Sequence, residues 1–123
     1  MARIEKVNQQ LKREVSEIIQ RELQDPRLQF VTITAADVSR DLRSARVYFT
    51  VLGNTQQTQT AQRAMQGVRG IIRKYIGQRM NMRYTPELFF IYDNSVEISA
   101  RLESTLKEIE NESNKNSNSH QEE

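Results

Sequence analysis

The N-terminal part of the chain repeats apolar residues at intervals of three and four. Such spacing places apolar side chains on one side of an amphipathic helix, and it predicts a helix over residues 3–24. The apolar stripe consists of Ile4, Val7, Leu11, Val15, Ile18, Ile19 and Leu23. Pro26 disfavours helical geometry in the residue before it, so we expect the helix to end ahead of this proline.

Two stretches rich in β-branched residues follow, at 30–38 and 45–52, and both largely alternate apolar with polar positions. This alternation predicts two strands. The polar connection from Ser39 to Ser44 is short enough for a hairpin, so the two strands should be antiparallel neighbours. A third strand is predicted at 88–92, where the continuous apolar run LFFIY indicates burial on both faces.

A second helical pattern covers residues 60–76. Its apolar positions are Ala61, Ala64, Met65, Val68, Ile71, Ile72, Tyr75 and Ile76. Gly67 and Gly70 interrupt this helix, and each glycine costs about 1 kcal/mol relative to alanine in a regular helix interior. Two glycines so close together predict a break or kink, and Gly77 is expected to cap the C-terminal end of the helix.

The C-terminal part changes from a helical pattern to a purely polar one. Asp93, Asn94 and Ser95 offer N-cap side chains for a short helix near 96–110. Residues 111–123 contain no apolar residue, which predicts a disordered acidic tail. The predicted fold is α+β, with helices on one face of a small sheet, and it forms one domain over 1–110 followed by the tail over 111–123.

Charge is unevenly distributed along the chain. Residues 1–101 carry 16 Lys and Arg against 10 Asp and Glu, whereas residues 102–123 carry 2 against 6. Between Thr55 and Pro86 there is no acidic residue, but there are six cations, Arg63, Arg69, Arg73, Lys74, Arg79 and Arg83. Like charges repel on a helix surface, so six unopposed cations favour a phosphate-binding surface over an ordinary solvated face.

Composition argues against an enzyme. The chain has no cysteine, and its one histidine, His120, lies in the predicted disordered tail. These facts exclude Ser/His/Asp and Cys/His catalytic sites and histidine-based metal sites, and no phosphate-binding glycine loop is present. The acidic pairs Glu14 with Glu17 and Asp37 with Asp41 are expected to be solubilising charges. We therefore expect no cofactor and no metal, and the absence of a long apolar run indicates a cytoplasmic protein.

Four segments, which together span roughly residues 3–95, resemble the ribosome-binding factor A family. They are RIEKV at 3–7 running to ELQDPR at 22–27; VSRDL at 38–42 with ARVY at 45–48; IGQR at 76–79; and RYTPEL at 83–88 with Phe90 and Asp93. The resemblance implies a type II KH-like fold, in the order α-β-β-α-kink-α-β. It also implies a helix–kink–helix at Val68-Arg69-Gly70, with Gly70 at the kink and a valine where the family has alanine.

The same resemblance implies a function without catalysis. Members of the family bind the small (30S) ribosomal subunit and its 16S rRNA, assist late rRNA maturation and support growth in the cold. We accordingly expect a monomer with no membrane and no small-molecule substrate as partner. The expected RNA contacts are Arg69, Arg73, Lys74, Arg79 and Arg83, with Arg63 peripheral and Arg3 and Lys6 adding to them from the start of the first helix.

Three other functions remain open from the sequence. A basic amphipathic helix also enters the major groove in DNA-binding proteins, although the strand-rich centre argues against a helix-turn-helix. A protein–protein adaptor would use the basic surface to bind an acidic partner. A nuclease is the weakest of the three, because no catalytic group stands out.

Overall fold

The computed structural model describes residues 3–94, which form helices and a three-stranded sheet. The helices are α1 (Arg3–Glu17), α2 (Thr55–Gly67) and α3 (Arg69–Arg79), with a π-helical segment at Ile18–Leu23 and a 3-10 turn at Pro26–Leu28. The strands are β1 (Val31–Val38), β2 (Ser44–Val51) and β3 (Glu87–Tyr92). This order confirms the predicted sequence of elements as far as β3.

The first predicted helix is α-helical only as far as Glu17. The next six residues continue it as a π-helix, which ends at Gln24 in the left-handed region with φ 47°. The prediction of a regular helix over 3–24 is therefore wrong in its last part. Ile18 and Ile19 are buried in either geometry, so the apolar pattern alone does not distinguish an α-helix from a π-helix there. Pro26 opens the 3-10 turn, and Asp25 caps that turn by accepting the Arg27 N–H at 2.9 Å.

The sheet has the strand order β1-β2-β3, with β2 in the centre. β1 pairs with β2 in antiparallel orientation, as the hairpin prediction required, and the register shifts between Ile33 and Ala35. β3 pairs with β2 in parallel orientation, because the chain crosses over through α2 and α3 before it returns. β3 is thus an edge strand of this sheet, and it pairs with β2 from Ser44 to Phe49.

The helices cover one face of this sheet. In β3 only Leu88 and Phe90 are buried, whereas Phe89 is 40% exposed and Ile91 is 36% exposed. The prediction that β3 is buried on both faces is therefore wrong. Alternate residues of a strand point to opposite faces, and among residues 3–94 the helices pack on only one of these faces. Ile71, which the sequence pattern placed in the buried stripe of the second helix, is also 50% exposed.

The second predicted helix is two helices. α2 begins at Thr55, earlier than predicted, because Asn54 and Gln57 form a reciprocal capping box with two bonds of 2.8 Å. The break lies at Val68, whose backbone has φ −96° and ψ 5°. The break therefore falls within the predicted segment Val68-Arg69-Gly70, at its first residue. Gly70 is inside α3, so the assignment of the kink to Gly70 is wrong. The buried side chain of Val68 anchors the junction of the two helices in the core.

Gly77 does not cap α3, which runs on to Arg79. A Cβ atom at Gly77 would lie 2.8 Å from Thr85 Oγ1, so this glycine allows the loop before β3 to approach the helix closely. The predicted helix near 96–110 and the tail over 111–123 lie outside the described residues, as does the predicted boundary at residue 110. Within residues 3–94 no helix is long and apolar enough to cross a membrane.

Candidate nucleic-acid interface

A shallow groove of about 560 Å³ separates α3 from the loop that precedes β3. We call it the basic groove, and its lining residues are Gly70, Arg73, Lys74, Gly77, Arg83, Tyr84 and Thr85. Residues three and four apart share one side of a helix, so α3 presents two glycines and two cations to the groove. Glycine leaves the helix backbone open to close approach. The lining contains three cations and no carboxylate.

Arg73 holds the loop against α3. Its Nε atom donates to the Pro86 carbonyl at 3.2 Å, and its Nη2 atom donates to the Thr85 carbonyl at 3.0 Å. Both acceptors are neutral, so the guanidinium keeps its full positive charge while its position is fixed. Arg73 therefore holds the loop in place and still contributes its positive charge to the groove.

Lys74 and Arg83 are the other two cations that line the groove. Both side chains are exposed, and neither forms an ion pair with any residue of the 3–94 segment. Lys74 lies on α3 and Arg83 lies on the loop opposite it, so the two charges flank the groove. Exposed unpaired cations on both sides of a groove suit a polyanion, whose phosphates are spaced along a strand.

Tyr84 stands at the groove and contacts two guanidinium groups. The Cζ atom of Arg83 lies 5.5 Å from the ring centroid, and the Cζ atom of Arg43 lies 5.7 Å from it. The tyrosine is 53% exposed. Arg43 comes from the hairpin between β1 and β2, and its carbonyl accepts the Glu87 N–H at 2.9 Å, which ties the hairpin to the start of β3.

The hairpin that carries Arg43 is fixed by its own hydrogen bonds. Asp41 Oδ1 accepts the Ser39 hydroxyl at 2.7 Å and the Arg43 N–H at 3.1 Å. The bond from Ser39, followed by that from Arg43, lowers the pKa of the Asp41 carboxyl below its usual value. Leu42 adopts φ 61° at the turn. Sequence reasoning missed Arg43 because this residue lies outside the acid-free run between Thr55 and Pro86. It missed Tyr84 because the search of that run considered charged side chains and not aromatic ones.

Arg79 lies outside the basic groove and is paired with carboxylates. Its Nη1 atom lies 3.2 Å from Glu14 and 3.6 Å from Glu17, and its Nη2 atom lies 2.7 Å from Glu22. The hydrogen bonds to Glu22 and then Glu14 raise the pKa of the Arg79 guanidinium. The interpretation of six unopposed cations is therefore wrong at Arg79, whose hydrogen-bonded partners lie 57 and 65 residues away in the chain.

The other predicted contacts lie away from the groove lining. The Arg69 guanidinium lies 5.9 Å from the Phe89 ring centroid. That contact belongs to a second concavity of about 720 Å³, which reaches the exposed face of the sheet. Arg63 is exposed on α2, and Arg3 and Lys6 are exposed on the first turn of α1. None of these four residues lines the basic groove.

The carboxylates considered as acid or base have structural partners instead. Glu14 and Glu17 pair with Arg79, Asp37 pairs with Arg46 at 3.2 Å, and Asp41 caps the hairpin. Across the described part of the chain, no cluster of three or more His, Cys, Asp or Glu residues is arranged to hold a metal ion. The basic groove therefore offers phosphate recognition and an exposed aromatic ring.

Comparison with known proteins identifies the family of this chain. The model of the family described as ribosome-binding factor A matches residues 3–106. The chain belongs to the ribosome-binding factor A family. It is 42% identical over 109 residues to ribosome-binding factor A of Acetivibrio thermocellus, covering 88% of this chain and 89% of that relative. It is 44% identical over 107 residues to the family member from Geotalea daltonii, covering 87% of each.

Solved structures of the family share the fold. The crystal structure of ribosome-binding factor A from Thermus thermophilus aligns with a TM-score of 0.66 at 30% identity, covering 74% of this chain and 97% of that chain. A homology model of the Thermus thermophilus protein, fitted into a cryo-electron microscopy map of a 30S complex, aligns with a TM-score of 0.59 at 31% identity, covering 71% and 91%. The predicted α+β, type II KH-like fold is confirmed.

Proposed function

We propose that this protein is a ribosome-binding factor that binds free, immature small ribosomal subunits and assists the late maturation of 16S rRNA without catalysing a reaction. Family membership supports the ribosomal partner, and a related protein has been fitted into a map of its 30S complex. The observation that carries the proposal is the basic groove, in which Lys74 and Arg83 are exposed and form no ion pair within residues 3–94, beside an exposed tyrosine.

The features of the basic groove support RNA binding more than catalysis. Contacts between cations and phosphates fix the position of a protein on RNA but carry little sequence information, so recognition depends on the shape of the RNA. A protein that binds one RNA conformation more tightly than another shifts the RNA toward that conformation. In this way the protein would favour maturation of the subunit while no bond is made or broken.

Several further properties belong to the same proposal. We expect a cytoplasmic monomer that supports growth in the cold and has neither a cofactor nor a small-molecule substrate. We assign the phosphate contacts first to Lys74, Arg83 and Arg73. Arg69, Arg63, Arg3 and Lys6 are assigned secondary contacts outside the groove. Arg79 is assigned the weakest contact, since three carboxylates already surround it.

Sedimentation of cell extract through a density gradient tests the proposal. We expect the native protein to migrate with free small subunits. The double variant Lys74→Ala/Arg83→Ala should lose this association, because it removes two phosphate contacts and lowers the slope of log affinity against log salt by about two. The matched control is Lys12→Ala/Arg13→Ala, which removes the same charge from the exposed side of α1.

The outcomes separate the possible functions. If the native protein does not migrate with small subunits even at low salt, the ribosomal function is wrong. If it migrates with ribosomal proteins after the RNA is digested, the adaptor function replaces it. Tighter binding to duplex DNA than to rRNA at matched salt would favour a DNA-binding protein, and cleavage of precursor rRNA by the purified protein would favour a nuclease.

A further inference from the structure

Tyr84 is a large aromatic side chain that the fold itself does not bury. It is 53% exposed, while its neighbours Pro86 and Leu88 are buried. Both arginines that contact its ring come from loops, Arg43 from the hairpin and Arg83 from the segment before β3. Arg73 fixes the loop directly after the tyrosine through the Thr85 and Pro86 carbonyls. The ring is therefore held in place and open to solvent.

From this arrangement we infer that Tyr84 is a stacking platform for one unpaired RNA base. The inference rests on the proposed function and specifies which form of RNA the basic groove binds. The base would lie on the exposed ring, and the phosphates on either side of it would meet Lys74 and Arg83. Arg43 would add a third cation from the hairpin.

The distances leave the ring available to a base. The two Cζ atoms lie 5.5 and 5.7 Å from the ring centroid, close to the limit of about 6 Å for a cation–π contact. Stacking of a base on an aromatic ring is stronger than a cation–π contact at an exposed site. A base can therefore replace a guanidinium on the ring, and the displaced arginine remains beside it to bind phosphate.

The surroundings favour an unpaired nucleotide over a duplex. Bases inside a duplex are stacked on one another and do not offer a free face, whereas single-stranded RNA commonly stacks its bases on aromatic side chains. Across the groove, a Cβ atom at Gly70 would meet no neighbouring atom within 4 Å, so α3 leaves open space for a nucleotide backbone there, beside Arg73 and Lys74. An acidic peptide would use the same cations but has no need of the exposed ring.

Binding of two RNAs to the full chain tests the platform. The probes are a fluorescent oligouridylate of about 12 nucleotides and an RNA duplex of equal length at matched salt. Tyr84→Leu should weaken oligouridylate binding about ten-fold, which corresponds to ~1.4 kcal/mol. It should change duplex binding less than about two-fold and leave the salt dependence of oligouridylate binding unaltered, because no phosphate contact is lost.

Two variants serve as controls. Tyr84→Phe keeps the aromatic ring and should bind oligouridylate within about two-fold of the native protein. Phe89→Leu removes another exposed aromatic ring that contacts an arginine, on the far side of β3, and should also have little effect. Circular dichroism and thermal unfolding of each variant establish that it is folded.

Three results would overturn the platform. The first is native affinity in Tyr84→Leu, and the second is an equal loss for oligouridylate and duplex. The third is a native protein that migrates with small subunits but binds neither RNA probe, which leaves the proposed function standing while the platform fails. A native protein that binds neither probe and no subunit would overturn both.

Discussion

Arg73 and Arg79 lie six residues apart on α3, yet they have different bonding partners: backbone carbonyls for Arg73 and carboxylates for Arg79. Within residues 3–94, Arg73 donates hydrogen bonds only to neutral carbonyls, so its positive charge remains available to the basic groove. Arg79 is paired with Glu14, Glu17 and Glu22, which we call the Arg79 cluster. The difference shows that a cation without nearby acidic residues in the sequence can be neutralised by carboxylates that the fold brings from another helix.

The largest expected effect comes from breaking the Arg79 cluster. Arg79→Ala removes the ion pairs that connect α3 to α1 and to the π-helical segment, and it leaves three carboxylates close together without their shared cation. We expect the melting temperature to fall by roughly 5–10 °C, the largest decrease among these variants. RNA affinity of the folded protein should change less than about two-fold, because the charge it removes is already neutralised.

Thermal unfolding and RNA titration at two salt concentrations measure both effects. Arg79→Lys is the informative control, since it keeps the charge but cannot reach several carboxylates at once, and it should restore only part of the stability. A large loss of RNA affinity in a folded Arg79→Ala protein would contradict the comparison and return Arg79 to the RNA-binding surface.

A smaller effect is expected for Arg73→Ala, which affects both stability and RNA binding. The substitution removes two hydrogen bonds to the carbonyls of Thr85 and Pro86, so the free energy of unfolding should decrease by about 0.5–1 kcal/mol. It also removes one cation from the basic groove, so the slope of log affinity against log salt should decrease by about one.

Denaturant unfolding and the salt dependence of RNA binding give the two values for Arg73→Ala. Lys74→Ala is the matched control, because Lys74 lies next to Arg73 and forms no ion pair within residues 3–94. Lys74→Ala should lower the salt slope equally while leaving stability within about 0.5 kcal/mol of the native protein. Equal stability in the two variants would mean that Arg73 does not hold the loop.

Local patterns predicted much of the fold. Patterns among residues that are close in the sequence predicted the order of elements and a break in the second helix. These patterns are the apolar stripe in α1, the alternation in β1 and β2, and the glycines near residue 70. The π-helix at Ile18–Leu23 was missed because its buried residues also fit an α-helix. The kink was assigned to glycine, but it lies at Val68, where the core holds the side chain.

The candidate site was predicted less completely, because pairing between distant elements decides which charges are free. The run without acidic residues includes Arg73, Lys74 and Arg83, which the fold brings together in one groove. It could not reveal that Arg79 meets α1 or that Arg69 reaches the Phe89 ring. Arg43 lies beside Tyr84 because β2 and β3 pair in parallel, which brings the hairpin next to the start of β3. This pairing depends on the crossover connection, and residue spacing in the sequence does not reveal it.

The smallest expected effects on stability and RNA binding come from substituting the two glycines that line the basic groove. Gly70 has open space beside it, whereas Gly77 is closely packed against Thr85. A Cβ atom at Gly70 would meet no other atom within 4 Å. Gly70→Ala should therefore increase the free energy of unfolding by about 0.5–1 kcal/mol through helix propensity alone. At Gly77 the Cβ atom would lie 2.8 Å from Thr85 Oγ1, so the same substitution should give no gain or a loss of about 1 kcal/mol.

A double-mutant cycle isolates the contact at Gly77. Thr85→Ala removes the hydroxyl that the new methyl group would meet, so Gly77→Ala should become stabilising in that background. Urea unfolding of the four proteins gives the coupling, and additive effects would show that Thr85 does not limit residue 77. In RNA titrations Gly70→Ala should bind more weakly than native protein, since it places a methyl group in the open space where a nucleotide backbone would approach α3. Gly77→Ala should bind RNA like native protein, because Thr85 already occupies the space beside residue 77.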